Sequence, residues 1–536
     1  MGKNKGLLIL AFLIIIILTG CTAKEQSAGD KVDEGMPAWK KLSQEPITFE
    51  WYINYSWFTT PWGHNAVSKA ITDETGVSIK FVVPTGSEGQ KLDAMIASDT
   101  LPDFITLGWW EIQAQTMEDK NMVYALNVLA DQYDPYFYQV ADDQVISWYQ
   151  KEDGNLFAYP NSTYTLKDFE SHKNIGSNQN FLVRKDIYEA LGSPDMTTME
   201  GFKNAVIKAK KMFPDIGGEP LIPIGSDEFN EEGCNSFDKY LQNFLAVPYE
   251  VNGAYNDRLM DQDYIGWLKM FRELNEMGYL SEEIFIDKRA QLEENMAKGR
   301  YFCLLYQGSD IQTPEKILYA KNPNSVYIAV DGPKNSKGDD PVLPSIGING
   351  WTITFISKNC TNPERAIAFM SYLLSEEGQK KVFLGVEGVT YDVVNGKNVL
   401  KPEVQKLLKT NRNEYDRVYG ADDAYWMLQN NVMQDQWLSE TDSIMSALKD
   451  WTVPYTKYTG QYEVVFNAGS SNAQIDKKIK EEWGKTLPLL LLAKSEEEFD
   501  AIFQSYKLKK YDMGFEQLLQ EYTKSMLESK QKLGLD

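Results

Sequence analysis

Histidine and cysteine are both scarce in this 536-residue chain, with two of the first and four of the second. His64 and His172 are too few for a histidine-rich metal site and leave a Ser-His-Asp arrangement few options. His64 falls at a helix start, which suits a surface or capping role. Beyond Cys21, the widely spaced Cys234, Cys303 and Cys360 do not form a disulfide framework; they allow one bridge or three buried thiols. GxSxG, HExxH and phosphate-cradling glycine loops are missing as well. Basic residues are outnumbered, 54 against 77 acidic ones, for a net charge of -23. That balance argues against nucleic acid as a partner, because phosphate neutralisation needs a basic surface. It leaves room for a locally basic pocket. No repeat is evident, which sets aside solenoids and propellers.

Long apolar runs are also missing, with one exception at the N-terminus. Leu7 to Leu18 follows Lys3 and Lys5 and ends in Leu18-Thr19-Gly20-Cys21. The run is shorter than the roughly 20 residues of a membrane-spanning helix, and it has the three regions of a secretory signal. Its last four residues resemble the bacterial lipobox, in which the cysteine is acylated, with palmitate for example, and becomes the mature N-terminus. Residues 1–21 are therefore expected to be a lipoprotein signal with Cys21 as the lipidated residue. The alternative is a plain signal peptide with an incidental cysteine. Residues 22–44 hold little to bury and read as a flexible tether. The body then works outside the cytoplasm, anchored to the membrane's extracytoplasmic face.

What is abundant is aromatic: 13 Trp, 30 Tyr and 24 Phe, more than cores alone require and suited to stacking on sugar faces. A chain this long exceeds one compact core and predicts at least two lobes. ITFEWYINYSWF reads as an aromatic-rich strand, His64 to Glu74 as a helix stopped by Gly76, and Val77 to Val83 as a strand. A helix through Leu92, Met95 and Ile96 then leads to the strand Phe104 to Leu107. This alternation predicts an α/β layer with a parallel sheet. A second unit opens with the strand FLVR, and Thr197 with Glu200 has the spacing of a capping box. A helix through Trp267 and Leu274 ends at Gly278, and a strand runs from Tyr301 to Tyr306. WTITFI forms another strand, Asn362-Pro363 starts a helix, and the C-terminal third is mostly helical.

Four stretches, in order, carry a resemblance: TGVSIKFVVPTGSEGQKLDAMIASDTLPDFI, FLVRKDIYEALGSPDMTTMEGFKNAVIKAK, GYLSEEIF with MAKGRYFCLLYQ, and NPERAIAFMSYLLSEEGQKKVFLGVEGVTYDVVNGK. Together they resemble family 1 of the extracellular solute-binding proteins of ABC importers, in particular its large oligosaccharide-binding lipoproteins. The resemblance implies an α/β, two-lobe periplasmic-binding-protein-like fold of type II, with ligand in the interlobe cleft. It places the first lobe at 45–160 and 346–420 and the second at 161–345 and 421–536. The crossings would fall near Tyr159-Pro160 and Ser345 to Gly350. The implied partners are an oligosaccharide, permease subunits and the membrane through the lipid anchor; the protein would be a monomer with no cofactor. Alginate-binding members carry an acidic calcium loop after the Pro-x-Thr helix. Here that segment reads FPDIGGEPLIPIGS, with only Asp215 and Glu219 as carboxylates, so calcium is not expected there.

A sugar cleft needs flat aromatic faces and fixed hydrogen-bonding groups, and strand ends opening onto the crevice are where to seek them. Trp57, Trp62, Trp109, Trp110 and Trp351 are the aromatic candidates. Each has the alternative of a core or surface tryptophan. Asn161, Ser162, Gln307 and Glu387 are the polar ones. Asn161 and Ser162 equally suit a satisfied turn, and Glu387 a brace for the GVEGVTY turn. Arg184 fits a structural pair with Asp186 or Glu189. Two other functions remain open from these residues: a peptide-binding lipoprotein of the same fold, or a surface polysaccharide-degrading enzyme using a carboxylate pair.

Overall fold

The computed structural model describes residues 36–42, 45–86, 88–437, 443–464, 466–467 and 469–535. Cys21, the expected signal and residues 22–35 of the expected tether lie outside them; Ala38–Leu42, expected as tether, is instead a helix with Ala38 and Trp39 buried in the first lobe's core. Nine strands build two sheets: β1 (Ile47–Ile53), β2 (Val77–Val82), β3 (Phe104–Gly108), β4 (Ala158–Pro160), β5 (Gln179–Arg184), β6 (Ile222–Gly225), β7 (Tyr301–Gln307), β8 (Tyr327–Ala329) and β9 (Thr352–Ile356). The first sheet has the order β2-β1-β3-β9-β4 and the second β8-β5-β7-β6.

Neither sheet is wholly parallel. β1 runs parallel to β2 and β3, as the strand-helix-strand alternation requires. β9 is antiparallel to β3 and β4 because it enters from the other lobe. In the second sheet only β7 and β6 are parallel.

Alternation along β1 sends Phe49, Trp51 and Ile53 to one core and Tyr52 to another, so helices cover both faces of the first sheet. One large core surrounds the second sheet and takes in Leu487, Leu490, Phe499 and Phe503 from the C-terminal helices. Residues expected in the second lobe from 421 onward divide differently. Ala421, Tyr425, Trp426, Met427 and Leu428 belong to the first core, because Met427 O accepts from Thr354 Oγ1 of β9 at 3.4 Å. The chain returns to the second lobe only after this segment, near Asp435, whose carboxylate accepts from Tyr164 and from Lys449.

Helix ends are close to expectation. Helix Ala66–Thr75 is capped by Asn65 and stops at Gly76, with φ of 71°. Helix Met199–Met212 is capped by Thr198 rather than Thr197, which bonds Asp195 instead. Asn362 precedes helix Pro363–Leu374 without a side-chain cap bond. Cys234, Cys303 and Cys360 are buried free thiols.

Candidate ligand-binding crevice

β1, β3 and β9 are neighbours, so their ends at the interlobe side lie together. Thr352 pairs with Gly108, and Ile53 pairs with Thr106. The residues just beyond these ends, Tyr55 and Trp57, Trp109 and Trp110, and Trp351, are thereby gathered on one rim. Tyr55 and Trp57 lie on a turn closed by Phe58 N donating to Tyr55 O at 3.1 Å, which brings their rings together.

A stacked aromatic tier results. Trp57 is parallel to Trp351 within 9° at 6.0 Å between centroids. Tyr55 stacks on both at 5.4 Å, and Trp426 closes against Trp351 at 4.5 Å. Tyr55 and Trp426 are buried, whereas Trp57 is 44% exposed. The tier thus presents one flat apolar face from a rigid backing. Beside it, Trp110 is exposed and meets Trp109 edge-on at 5.7 Å. Gly108 is needed here: a Cβ would lie 2.8 Å from the Trp110 ring.

Asn161 and Ser162, at the expected crossing, hold this tier. Asn161 is 0% exposed. Its Nδ2 donates to Trp426 O at 3.0 Å and its Oδ1 accepts from Thr352 N at 2.7 Å. The backbone N–H of Ser162 donates to Gln429 O at 2.9 Å, and Ser162 sits at φ 55° with its side chain buried. Gly350 must be glycine, since a Cβ would approach Asn161 O to 2.1 Å. Both polar candidates at the first crossing are thus positioning residues.

Trp62 is half-buried and packs against the first core. It packs on Tyr425 at 4.9 Å and on Phe81 and Phe369, with Nε1 donating to Thr72 Oγ1 at 3.0 Å. Glu387 is exposed on a turn that Thr390 closes in its place, through Val386 N and Leu384 O. Arg184 is committed to Asp186 through two bonds of 2.9 Å.

Polar groups border the tier. Asn54, buried at the end of β1, donates to Glu111 Oε2 and accepts from Tyr52 OH at 2.8 Å. Glu111 Oε1 also accepts from Gly108 N at 2.7 Å. Burial pushes the Glu111 carboxyl up to about 7, against the lowering effect of these bonds and with help from Glu88. Glu88 in turn accepts from Ser56 N at 2.9 Å. Tyr55 OH is buried without a hydrogen-bond partner.

The second lobe contributes amides. At the Gln307 end of β7, paired with Gln179 of β5, Asn178 Nδ2 donates to Gln307 Oε1 and to Ser309 Oγ, both at 2.8 Å. Asp310 and Asp227 stand at the same strand ends, Asp310 accepting from Arg289 Nη1 at 3.3 Å. Asn180 Oδ1 and Ser226 Oγ are buried without partners. Away from the hinge the lobes meet again, where Arg412 Nη1 donates to Gln312 Oε1 at 3.3 Å.

The segment that stands where alginate binders carry calcium is a tight hairpin. Asp215 and Glu219 flank it, and Glu219 pairs with Lys298 and Arg300. Among the described residues there is no group of three or more His, Cys, Asp or Glu able to hold a metal ion. A cavity of about 550 Å³ lies between helices Met199–Met212 and Gln262–Glu276 of the second lobe, and its lining includes none of the crevice residues.

Tyr55, Trp426, Asn54, Glu111 and Asn178 were not foreseen from sequence. Tyr55 had a signal in its nearness to Trp57 in the sequence. Trp426 had none, since 75 positions separate it from Trp351 and only the fold joins them.

No curated protein sequence matches the chain. Solved structures do. The Streptococcus pneumoniae ABC-transporter substrate-binding protein FusA, in complex with kestose, superposes with a TM-score of 0.69 at 15% identity, covering 90% of this chain and 99% of that one. The alginate-binding protein AlgQ2, without calcium ion, gives 0.65 at 20% identity over 90% and 98%. An HMO-binding, ABC-transporter-associated solute-binding protein from Bifidobacterium longum infantis gives 0.64 at 14% over 90% and 98%. These likenesses establish the two-lobe periplasmic-binding-protein-like fold. The sequence itself matches the family described as bacterial extracellular solute-binding protein over residues 66–406, more than half its length, and the chain belongs to that family.

Proposed function

We propose that this protein is the substrate-binding subunit of an ABC importer, capturing an oligosaccharide between its lobes and delivering it to a membrane permease. The observation that carries this reading is the exposed Trp57 face, backed by Tyr55, Trp351 and Trp426, with the amides Asn178 and Gln307 at strand ends of the second lobe. A flat apolar face suits the C–H face of a pyranose or furanose ring, and amides suit its hydroxyls. The proteins of like fold named above as binding kestose or HMO agree with it.

Ligand contact with both walls favours the closed arrangement, because only interactions made in that state shift the equilibrium toward it. The closed form is then what the permease recognises. The protein acts by binding, without catalysis, as a monomer held by acylated Cys21 on the extracytoplasmic face of the membrane. The peptide alternative loses its best anchor, since Arg184 is committed to Asp186.

A thermal-shift screen of the purified protein against oligosaccharides, peptides and calcium tests the reading. A ligand binding only the native state at 100 times its dissociation constant adds about 2.7 kcal/mol of stability. A shift with a glycan and no release of reducing ends is the expected result. Shifts with peptides alone overturn the sugar assignment, and shortened products overturn the binding-only role.

A further inference from the structure

The polar border of the tryptophan tier has a sign. On the first lobe, the groups beside Tyr55 and Trp57 are Glu111 and Glu88, and their hydrogen-bond partners are neutral: Asn54, Gly108 and Ser56. On the second lobe, Asp227 and Asp310 stand at the strand ends. Arg289, the cation beside them, is already paired with Glu293 as well as Asp310. Tyr55 OH lies within the field of both Glu111 and Glu88. It is on a residue 91% buried, at 9% exposure, and has no hydrogen-bond partner. A buried hydroxyl left unmatched carries a desolvation cost; this one is closed off from the crevice, so the carboxylates are the groups on this wall that a ligand meets.

We propose that this crevice selects uncharged oligosaccharides and rejects uronates, with Glu111 and Glu88 beside the exposed Trp57 face accepting from sugar hydroxyls. This rests on the oligosaccharide reading and narrows it. Neutral sugars offer hydroxyl donors in every direction, which carboxylates accept through charge-assisted hydrogen bonds. A uronate carboxylate offers no donor and repels both walls, and like charges set together at an interface cost several kcal/mol. Glu111, with its carboxyl pushed up to about 7, is fully ionised only in mildly alkaline solution.

Matched pairs of probes give the test. Calorimetric titrations at pH 8 compare mannotriose with trimannuronate, galactotriose with trigalacturonate, and kestose as a further neutral sugar. The expected result is that a neutral trisaccharide binds and its acidic counterpart binds at least about 100-fold more weakly. Glu111→Gln combined with Glu88→Gln should narrow that ratio at least about tenfold. Tyr55→Phe is the control: it removes an unmatched buried hydroxyl behind the stack, so it should leave the neutral sugar's affinity unchanged and the melting temperature equal or higher. A uronate that binds as tightly as its neutral partner overturns the selectivity and leaves the glycan reading standing. Silence with every sugar, together with a response to peptides, overturns the glycan reading and the selectivity with it.

Discussion

The two lobes face the same crevice with different chemistry. The first brings a rigid stack of Tyr55, Trp57, Trp351 and Trp426 bordered by Glu111 and Glu88. The second brings Asn178, Gln307 and Ser309, small polar groups bonded to one another. Stacking needs area and tolerates sliding, whereas hydrogen bonds need direction. The asymmetry therefore suggests an order of events, in which a sugar first settles on the first lobe and the second lobe then closes to fix its hydroxyls. If so, losses on the first wall fall on initial capture and losses on the second on retention.

The sharpest way to break this comparison is to separate tryptophans that look alike in sequence. Trp62→Ala removes a ring packed among Tyr425, Phe81 and Phe369. It should cost about 3–5 kcal/mol of stability, measured by denaturant unfolding, with the affinity of the remaining folded protein unchanged. Trp57→Ala removes a ring already 44% exposed. It should leave the unfolding midpoint within error and weaken sugar binding by about tenfold to hundredfold. A weakened affinity for the Trp62 variant, or an intact one for the Trp57 variant, would reverse the assignment of platform and core.

A smaller effect sharpens the contrast between walls. Gln307→Ala takes away one neutral hydrogen-bonding amide, a loss of about 0.5–1.5 kcal/mol or roughly threefold to tenfold in affinity. Stopped-flow quenching of tryptophan fluorescence should assign that loss to a faster off-rate, while the on-rate stays near that of the parent. A slowed on-rate of the same size would place Gln307 in the first encounter and undo the proposed order.

Much of this architecture is readable before any coordinates. The β-branched and aromatic runs of β2, β7 and β9, and the glycine stops at Gly76 and Gly278, stand within a residue or two of expectation because they rest on local chemistry, whereas β1 ends at Ile53, short of the aromatic run that continues to Phe58. The site was only half legible. Trp57, Trp109, Trp110 and Trp351 could be singled out because they stand close to strand ends in the sequence. Trp62 follows the same strand and faces inward, a difference set by helix Ala66–Thr75 packing over it rather than by its neighbours in sequence. Asn161 and Ser162 have the composition of a ligand contact and the geometry of a joint. Residues 421–428 were placed in the wrong lobe because nothing local announces that Thr354 and Asn161 would capture their backbone.

The smallest effect concerns the joint between the lobes. Asn349, on the return crossing, accepts from Trp148 Nε1 through its Oδ1 at 2.6 Å, and its carbonyl accepts from Tyr149 OH at 2.6 Å. Its Nδ2 donates to Glu463 Oε2 of the second lobe at 2.7 Å. Burial pushes Glu463 up to about 7, opposed by the Asn349 bond and by Lys239, while Tyr149 and Tyr458 share its field. A carboxyl raised above its unfolded value of 4.5 holds more protons folded than unfolded between those two values. Stability from this group is then fully present below about 4.5 and is lost as pH rises through about 7. Glu111 in the first lobe follows the same sign over the same window. The melting temperature of the ligand-free protein should fall between pH 5 and pH 8, by about 2–4 °C for each kcal/mol lost. Glu463→Gln keeps an acceptor for Asn349 without the charge and should flatten the part of the slope due to the joint. Glu111→Gln should flatten the part due to the first lobe. Comparing the two slopes shows which region carries the larger share. A melting temperature that climbs steadily from pH 5 to pH 8 in the parent would mean that neither carboxyl is held protonated by burial.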